Sequence, residues 1–524
     1  MSRYGLAGES NKVEESKRNM STYVLIPIKP LVESKTRLAP FFNQEERSSF
    51  VKALMRDLAS ELSQSKYVKQ TIICTRDPKV RSLAATLGFH CISESKKARE
   101  LEDFIDQLIS VALVNGAKIA VNTSIDLPLF SASALDKMIE MSEPRCVVFT
   151  IWREGGVSTL LRRPPDVVRT PCKCDQPELL ALLRAAHSNI RYKFCDSFAL
   201  SFDVDYPRDL IQCFAFLSIL KSHSRTFKFV RRYITEVRKR NTDSLLFSPG
   251  RSFIRKLGLV DIERTTYTVV TSQSTVSELT ANLRRTKIFR NPVLFDQKRH
   301  FVIDGHHRVE AARALGCQRI PVQFVDYEDP LIKAKKWIRA ISQIKRPRQL
   351  EEILVGNGLE FEEVSEPVSM DKYTHILYHD RILRVLEKTE DAWQRMQTMA
   401  RLEQSMMLNG LLVRFETDLD GQLKLTRGEC DALLVPFSVS KQLTLEAALS
   451  DKPFATTENR SVVPGRILHT DIPLGLLNIQ IAYDEALRKL RRNLSKRCVS
   501  YHEPGKWVDY RRYEEDIFVF EDSL

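Results

Sequence analysis

Between residue 22 and about residue 220 the chain alternates short, β-branched apolar runs with amphipathic stretches, and few folds accommodate that alternation. The runs YVLIPI (23–28), TIICT (71–75), KIAV (118–121) and CVVFTI (146–151) are apolar enough to be buried on both faces, as strands of a parallel sheet are. The segments 44–62, 80–87 and 101–114 between them read as helices. A doubly wound, Rossmann-like α/β domain is therefore expected over 21–220. A chain of 524 residues exceeds what one core organises, so more must follow. The stretch 221–264, with KFVRRYITEVRKR and a Ser-Pro-Gly break at 248–250, reads as a basic linker with helical pieces. A second α/β (α+β) module is expected over 265–524, with strands at 292–295, 301–303 and 321–325 and a helix at 308–315.

Composition narrows the class. No apolar run approaches the roughly 18 residues that span a bilayer, and the first residues lack the apolar core of a signal peptide, so a cytoplasmic protein without a membrane partner is expected. Ten cysteines are scattered without a paired framework; Cys172 and Cys174 have the wrong spacing for a zinc knuckle, and reduced thiols are expected. The formal charge of +13 calls for anionic partners, but it suits nucleic acid and nucleotides or phosphorylated acids alike.

Two constellations carry chemistry. Lys29, Lys35 and Arg37 follow the carboxyl end of the first strand, where open α/β sheets bind ligands. Ammonium and guanidinium donors there suit a triphosphate. Asp126 lies just past an apolar strand, and Asp203 and Asp205 are expected on a strand end before a helix, pointing the same way. Magnesium needs one or two carboxylates plus substrate phosphate oxygens, which these aspartates supply; as single residues they equally suit helix caps and turns.

The segments IPIKPL with SKTRLAP, NQEER running on to MRD, IDLPL, REGG, RRPPD and FDVDYPRDL together resemble, in that order and spacing, the MobA-like 2-phospho-L-lactate guanylyltransferase family, over about 22–215. The resemblance implies a nucleotidyltransferase that joins GTP to 2-phospho-L-lactate, or to phosphoenolpyruvate or 3-phosphoglycerate, releasing pyrophosphate in coenzyme F-420 biosynthesis. It implies Lys29, Lys35, Arg37, Gly155 and Gly156 on the nucleotide, and Asp126, Asp203 and Asp205 as catalytic ligands of Mg2+. The chain departs from the family where base and acceptor would be held. Arg99-Glu100-Leu101 replaces Gly-Leu-Asn, Val157-Ser158 replaces Thr-Asn, and Pro171-Cys172-Lys173-Cys174-Asp175 replaces a Phe-Gly-x-x-Ser segment.

The second constellation is Asp304-Gly305-His306-His307-Arg308, a strand running through a glycine turn into a helix. A helix N-terminus with an adjacent arginine can cradle phosphate, and Asp304 can serve as base or metal ligand or simply cap the helix. With Asn291-Pro292-Val293-Leu294, Ile320-Pro321-Val322, Lys452-Pro453-Phe454 and Val463-Pro464-Gly465-Arg466, this segment resembles the ParB/sulfiredoxin fold and, more narrowly, its free-serine kinases. That implies ATP or ADP bound by Gly305, His306, His307 and Arg308, with Asp304 catalytic. Gln273 stands where such kinases carry a glutamate, and an amide is no base at neutral pH; Glu278 is the nearest substitute. The fusion suggests a small hydroxy-acid kinase whose product the first domain consumes. Other readings are a ParB-like nucleic-acid-binding regulator, weighed below the enzyme, and a noncatalytic, degenerate enzyme. A homo-oligomer is compatible with either.

Overall fold

A computed structural model describes residues 20–94, 101–151, 157–168, 188, 190–239, 245–367, 369–450, 452–454, 459–478, 480–509 and 511–521. The chain forms two compact units, Met1–Arg251 and Ser252–Leu524.

In the first unit seven strands make one sheet in the order β3-β2-β1-β4-β6-β5-β7. They are β1 (Thr22–Pro27), β2 (Val68–Cys74), β3 (His90–Ile92), β4 (Ile119–Thr123), β5 (Cys146–Ile151), β6 (Val157–Arg163) and β7 (Arg191–Phe194). The helices used below are α1 (Gln44–Leu62), α2 (Pro78–Thr86), α3 (Leu101–Val114), α4 (Ala132–Glu140), α5 (Pro207–Leu220) and α6 (Arg225–Val230). Strand β1 runs parallel to β2 and β4, whereas β6 runs antiparallel to both of its neighbours, β4 and β5. The sheet is thus mixed rather than wholly parallel. Only five residues separate β5 from β6, too few for the crossover that parallel neighbours require.

Alternation along β1 explains the two layers. Val24 and Ile26 pack with Val51, Met55 and Leu58 of α1 on one face, while Tyr23 and Leu25 pack with Ile105, Leu108 and Ala112 of α3 on the other. The start of α1 is fixed by a reciprocal cap. Asn43 accepts the Glu46 N–H at 2.9 Å and Glu46 accepts the Asn43 N–H at 2.9 Å, which stabilises the helix by about 1 kcal/mol.

The expectation of a basic linker at 221–264 is corrected. Helix α6 buries Phe227, Phe229 and Val230, and a hairpin of β8 (Ile234–Lys239) and β9 (Leu245–Pro249) follows. Phe42 meets the rings of Phe229 and Tyr233 at 5.3 and 4.8 Å, and Phe50 meets Phe229 at 5.7 Å. Arg225, Lys228, Arg231 and Arg232 stay exposed. Its apolar side belongs to the core of the first unit.

The second unit is α+β. One four-stranded sheet has the order Leu257–Asp261, Arg319–Val325, Val293–Asp296, Phe301–Asp304. The helix after it is His306–Ala314, starting two residues earlier than expected because Gly305 already makes the turn. A six-stranded sheet is covered by the helix Ala392–Leu408, which buries Met396, Met399, Leu402 and Met406. Strand Ile517–Phe520 pairs with Arg466–Leu468 and Val499–His502. No described helix is long and apolar enough to cross a membrane.

Candidate active site

The chain leaves β1 at Pro27 and β4 at Thr123, and beyond these carboxyl ends lies a cleft of about 770 Å³ lined by Lys29, Lys35, Arg37, Asp126 and Asp205. Lys35 is its centre. Its side chain is 4% exposed, and its Nζ lies 2.9 Å from Asp126 Oδ2 and 3.0 Å from Asp205 Oδ1. The same Nζ donates to the Val204 carbonyl at 2.6 Å. Burial works against the ammonium charge, but Asp126 and Asp205 outweigh it and hold the Lys35 pKa above the usual lysine value.

The segment 202–206 is pinned from both sides. Val204 N–H donates to the Asp126 carbonyl at 3.1 Å, and Asp209 in the first turn of α5 accepts the Tyr206 N–H at 2.9 Å. That anchoring aims Asp205 into the cleft. Arg37 donates to Asp205 at 3.2 Å, and its guanidinium lies 4.8 Å from the Tyr206 ring centre. Burial would raise the Asp205 pKa, but Lys35, Arg37 and Lys29 hold it below the ordinary aspartate value. Lys29 itself is exposed at the rim.

Two carboxylates and a carbonyl therefore converge on one cation position, held by the Lys35 ammonium. Such a set of hard oxygens fits magnesium when phosphate oxygens complete the shell. Asp203 is not brought into this set. Segment 202–205 is not a strand, Asp203 does not line the cleft, and among the described residues no three His, Cys, Asp or Glu side chains gather around a metal position. Its pKa is pushed up to about 6, first by burial and then by the Asp205 charge. Gly155 and Gly156 lie outside the described residues, as do Arg99, Glu100 and residues 171–175. Val157 and Ser158 line the cleft, and Ser158 Oγ donates to the Ser201 carbonyl at 2.9 Å.

Sequence reasoning passed over Arg162, which is 1% exposed, lines the cleft and donates through Nε to the Val168 carbonyl at 3.2 Å and through Nη1 to Asn122. Its place in an apolar strand, next to a Pro-Pro turn, was the available signal.

The second constellation surrounds a cavity of about 350 Å³ in the second unit, lined by Asp304, His307, Arg308, Arg466, Arg511 and Tyr513 among others. Asp304 is paired with Arg466, which also donates to Glu515 at 2.6 Å. Burial opposes the Asp304 charge, yet Arg466 and Arg308 hold its pKa far below the usual range. Arg308 folds back onto the Asn291 and Pro292 carbonyls at 2.6 and 2.7 Å. Gly305 sits at φ 108°, and a Cβ there would lie 2.7 Å from that guanidinium. His306 is buried, its Nε2 3.0 Å from Thr268 Oγ1, and burial pushes its pKa down to about 4. His307 Nε2 accepts the Ser272 N–H at 3.0 Å. Gln273 opens a helix, and Glu278 is exposed and does not line the cavity, so Glu278 does not supply the missing base. Arg511 and Arg466 were not assigned roles from sequence; the register of 466 and 511 against residue 304 is a tertiary fact.

Residues 22–248 match the family model described as "Guanylyl transferase CofC like". Relatives include the 2-phospho-L-lactate guanylyltransferase of Methanothermobacter thermautotrophicus, 26% identical over 191 residues, which are 36% of this chain and 83% of the relative. That of Methanobrevibacter smithii is 27% identical over 189 residues, 36% of this chain and 81% of the relative. Among solved structures, a free serine kinase in complex with AMP is 18% identical, covers 42% of this chain and 93% of its own, and has a TM-score of 0.37. A cytidylyltransferase from Leptospira borgpetersenii is 14% identical, covers 41% and 93%, and has a TM-score of 0.29. Over residues 22–248, which hold the mixed sheet, the basic loop and the aspartates of the cleft, the chain is thus similar to the CofC-like guanylyl transferases.

Proposed function

We propose that the first unit transfers a guanylyl group from GTP to the phosphate of a small phosphorylated hydroxy acid, 2-phospho-L-lactate foremost, with release of pyrophosphate, as a step toward coenzyme F-420. The observation that carries this is the convergence of Lys35, Asp126 and Asp205 within a cleft whose rim adds Lys29 and Arg37. Lys29 and Arg37 bind and orient the triphosphate, and Asp126 and Asp205 would hold magnesium. When bound, that ion would neutralise charge on the transferred phosphoryl group and the departing pyrophosphate. The acceptor is already a phosphate, so the chain needs no general base; it aligns two anions that otherwise repel. Pyrophosphate release should require GTP, magnesium and one phosphorylated acid, and Asp126→Ala should reduce it at least 100-fold. Release that ignores the acid, or that survives the substitution, contradicts the reading.

A second reading concerns the second unit. Its cavity holds Arg308, Arg466 and Arg511 against one lining carboxylate, Asp304, an excess of positive charge that suits a nucleotide phosphate. We infer that this unit moves a phosphoryl group from ATP or ADP to the hydroxyl of lactate or glycerate, which makes the acceptor used by the first. Incubation with lactate and either nucleotide should yield phospholactate, and no yield above an Asp304→Asn control contradicts it.

A further inference from the structure

The Lys35 ammonium occupies the position that a divalent ion would need. Three oxygens surround Nζ at 2.6, 2.9 and 3.0 Å, from Val204, Asp126 and Asp205. Lys35 is held there with a left-handed backbone, φ 53°, a conformation unusual for a long side chain. The charges can be summed for each state. Two carboxylates with one ammonium leave one negative charge, which Arg37 covers at 3.2 Å from Asp205. The same carboxylates with a divalent ion in place of the ammonium, and Arg37 still beside Asp205, carry one positive charge that an incoming phosphate balances. Both cations together would set like charges a few ångströms apart in a partly buried site, where repulsion is weakly screened.

We propose that Lys35 and the divalent ion are alternative occupants of this one oxygen cage, so that the metal enters together with the triphosphate and not ahead of it. The phosphates supply what the exchange lacks. They offer Lys35 a new anionic partner at the mouth of the same cleft, and they bring oxygens that complete a magnesium shell the protein only begins. Free metal finds the cage filled. The chain thereby avoids binding a divalent ion in a geometry with no substrate to act on. This rests on the reading of Asp126 and Asp205 as metal ligands, and it adds the order of binding.

The test is direct binding of Mn2+ to the full chain without nucleotide, followed by the loss of the free-ion electron paramagnetic resonance signal. Lys35→Met should bind one Mn2+ at least 10-fold more tightly than wild type, and Lys35→Arg, which keeps the charge, should remain like wild type. Adding Asp126→Asn to Lys35→Met should abolish the gain, which assigns the ion to this cage. Lys35→Gln serves as a second neutral variant if the methionine variant does not fold. Equal affinity in wild type and the neutral variants would overturn the proposal while leaving the metal-ligand reading in place. No Mn2+ bound by any of them would overturn both, and guanylyl transfer would still be judged separately by pyrophosphate release.

Discussion

At the scale of single residues, the first unit divides its three aspartates by environment. Asp205 is pinned beside cations and stays ionised, whereas Asp203 is pushed up to about 6 by burial and by Asp205. An unfolded aspartate titrates near 3.9, so between roughly pH 4 and 6 the folded state holds the proton that the unfolded chain releases. Stability contributed by the protonated form is then lost as pH rises through that window. Asp203→Asn should accordingly raise the melting temperature clearly at pH 7.5 and much less at pH 4.5, near the start of that window. An equal shift at both pH values would contradict this assignment. The residue scale is also where sequence reading was weakest. Lys35 and Asp205 meet across 170 positions, and their ion pair is a product of the fold, although each belonged to a legible motif.

At the scale of elements, the folded character of α6 and its hairpin makes a claim of its own. Phe229 is 8% exposed and touches the rings of Phe42, Phe50 and Tyr233. Phe229→Ala should cost about 3–5 kcal/mol in denaturant unfolding of the first unit. A loss below about 1 kcal/mol would mean that the segment is a tether after all. Legibility follows from local pattern. The bounds read for α1, α3 and β5 agree with the structure because their apolar periodicity was complete within each segment. Residues 225–239 failed because exposed arginines and lysines interleave with Phe227, Phe229 and Tyr233, so that charge hid the buried face. Strand β6 was not among the strands read from sequence, and its antiparallel direction depends on the short loop before it rather than on composition. The DGHHR turn was legible, but the inward fold of Arg308 onto Asn291 and Pro292 was not.

At the scale of the whole molecule, the net charge of +13 gains a concrete meaning. Each unit carries its own cationic cavity, one around Lys35 and Arg37 and one around Arg308, Arg466 and Arg511. Both suit phosphorylated small molecules, the first through a loop at the carboxyl ends of a sheet and the second through a helix N-terminus flanked by arginines. On the two proposed readings, the second site makes a phosphorylated acid and the first activates it. The central claim concerns the first of these, and the most direct test follows the α-phosphate of GTP. The full protein is given magnesium, α-labelled GTP and 2-phospho-L-lactate, with Asp205→Asn alongside. The account predicts label in a product that joins the nucleotide to the acid through two phosphates, equimolar with pyrophosphate and at least 100-fold reduced by the substitution. Label that remains in GTP with every phosphorylated acid offered, while the protein is folded, would contradict it.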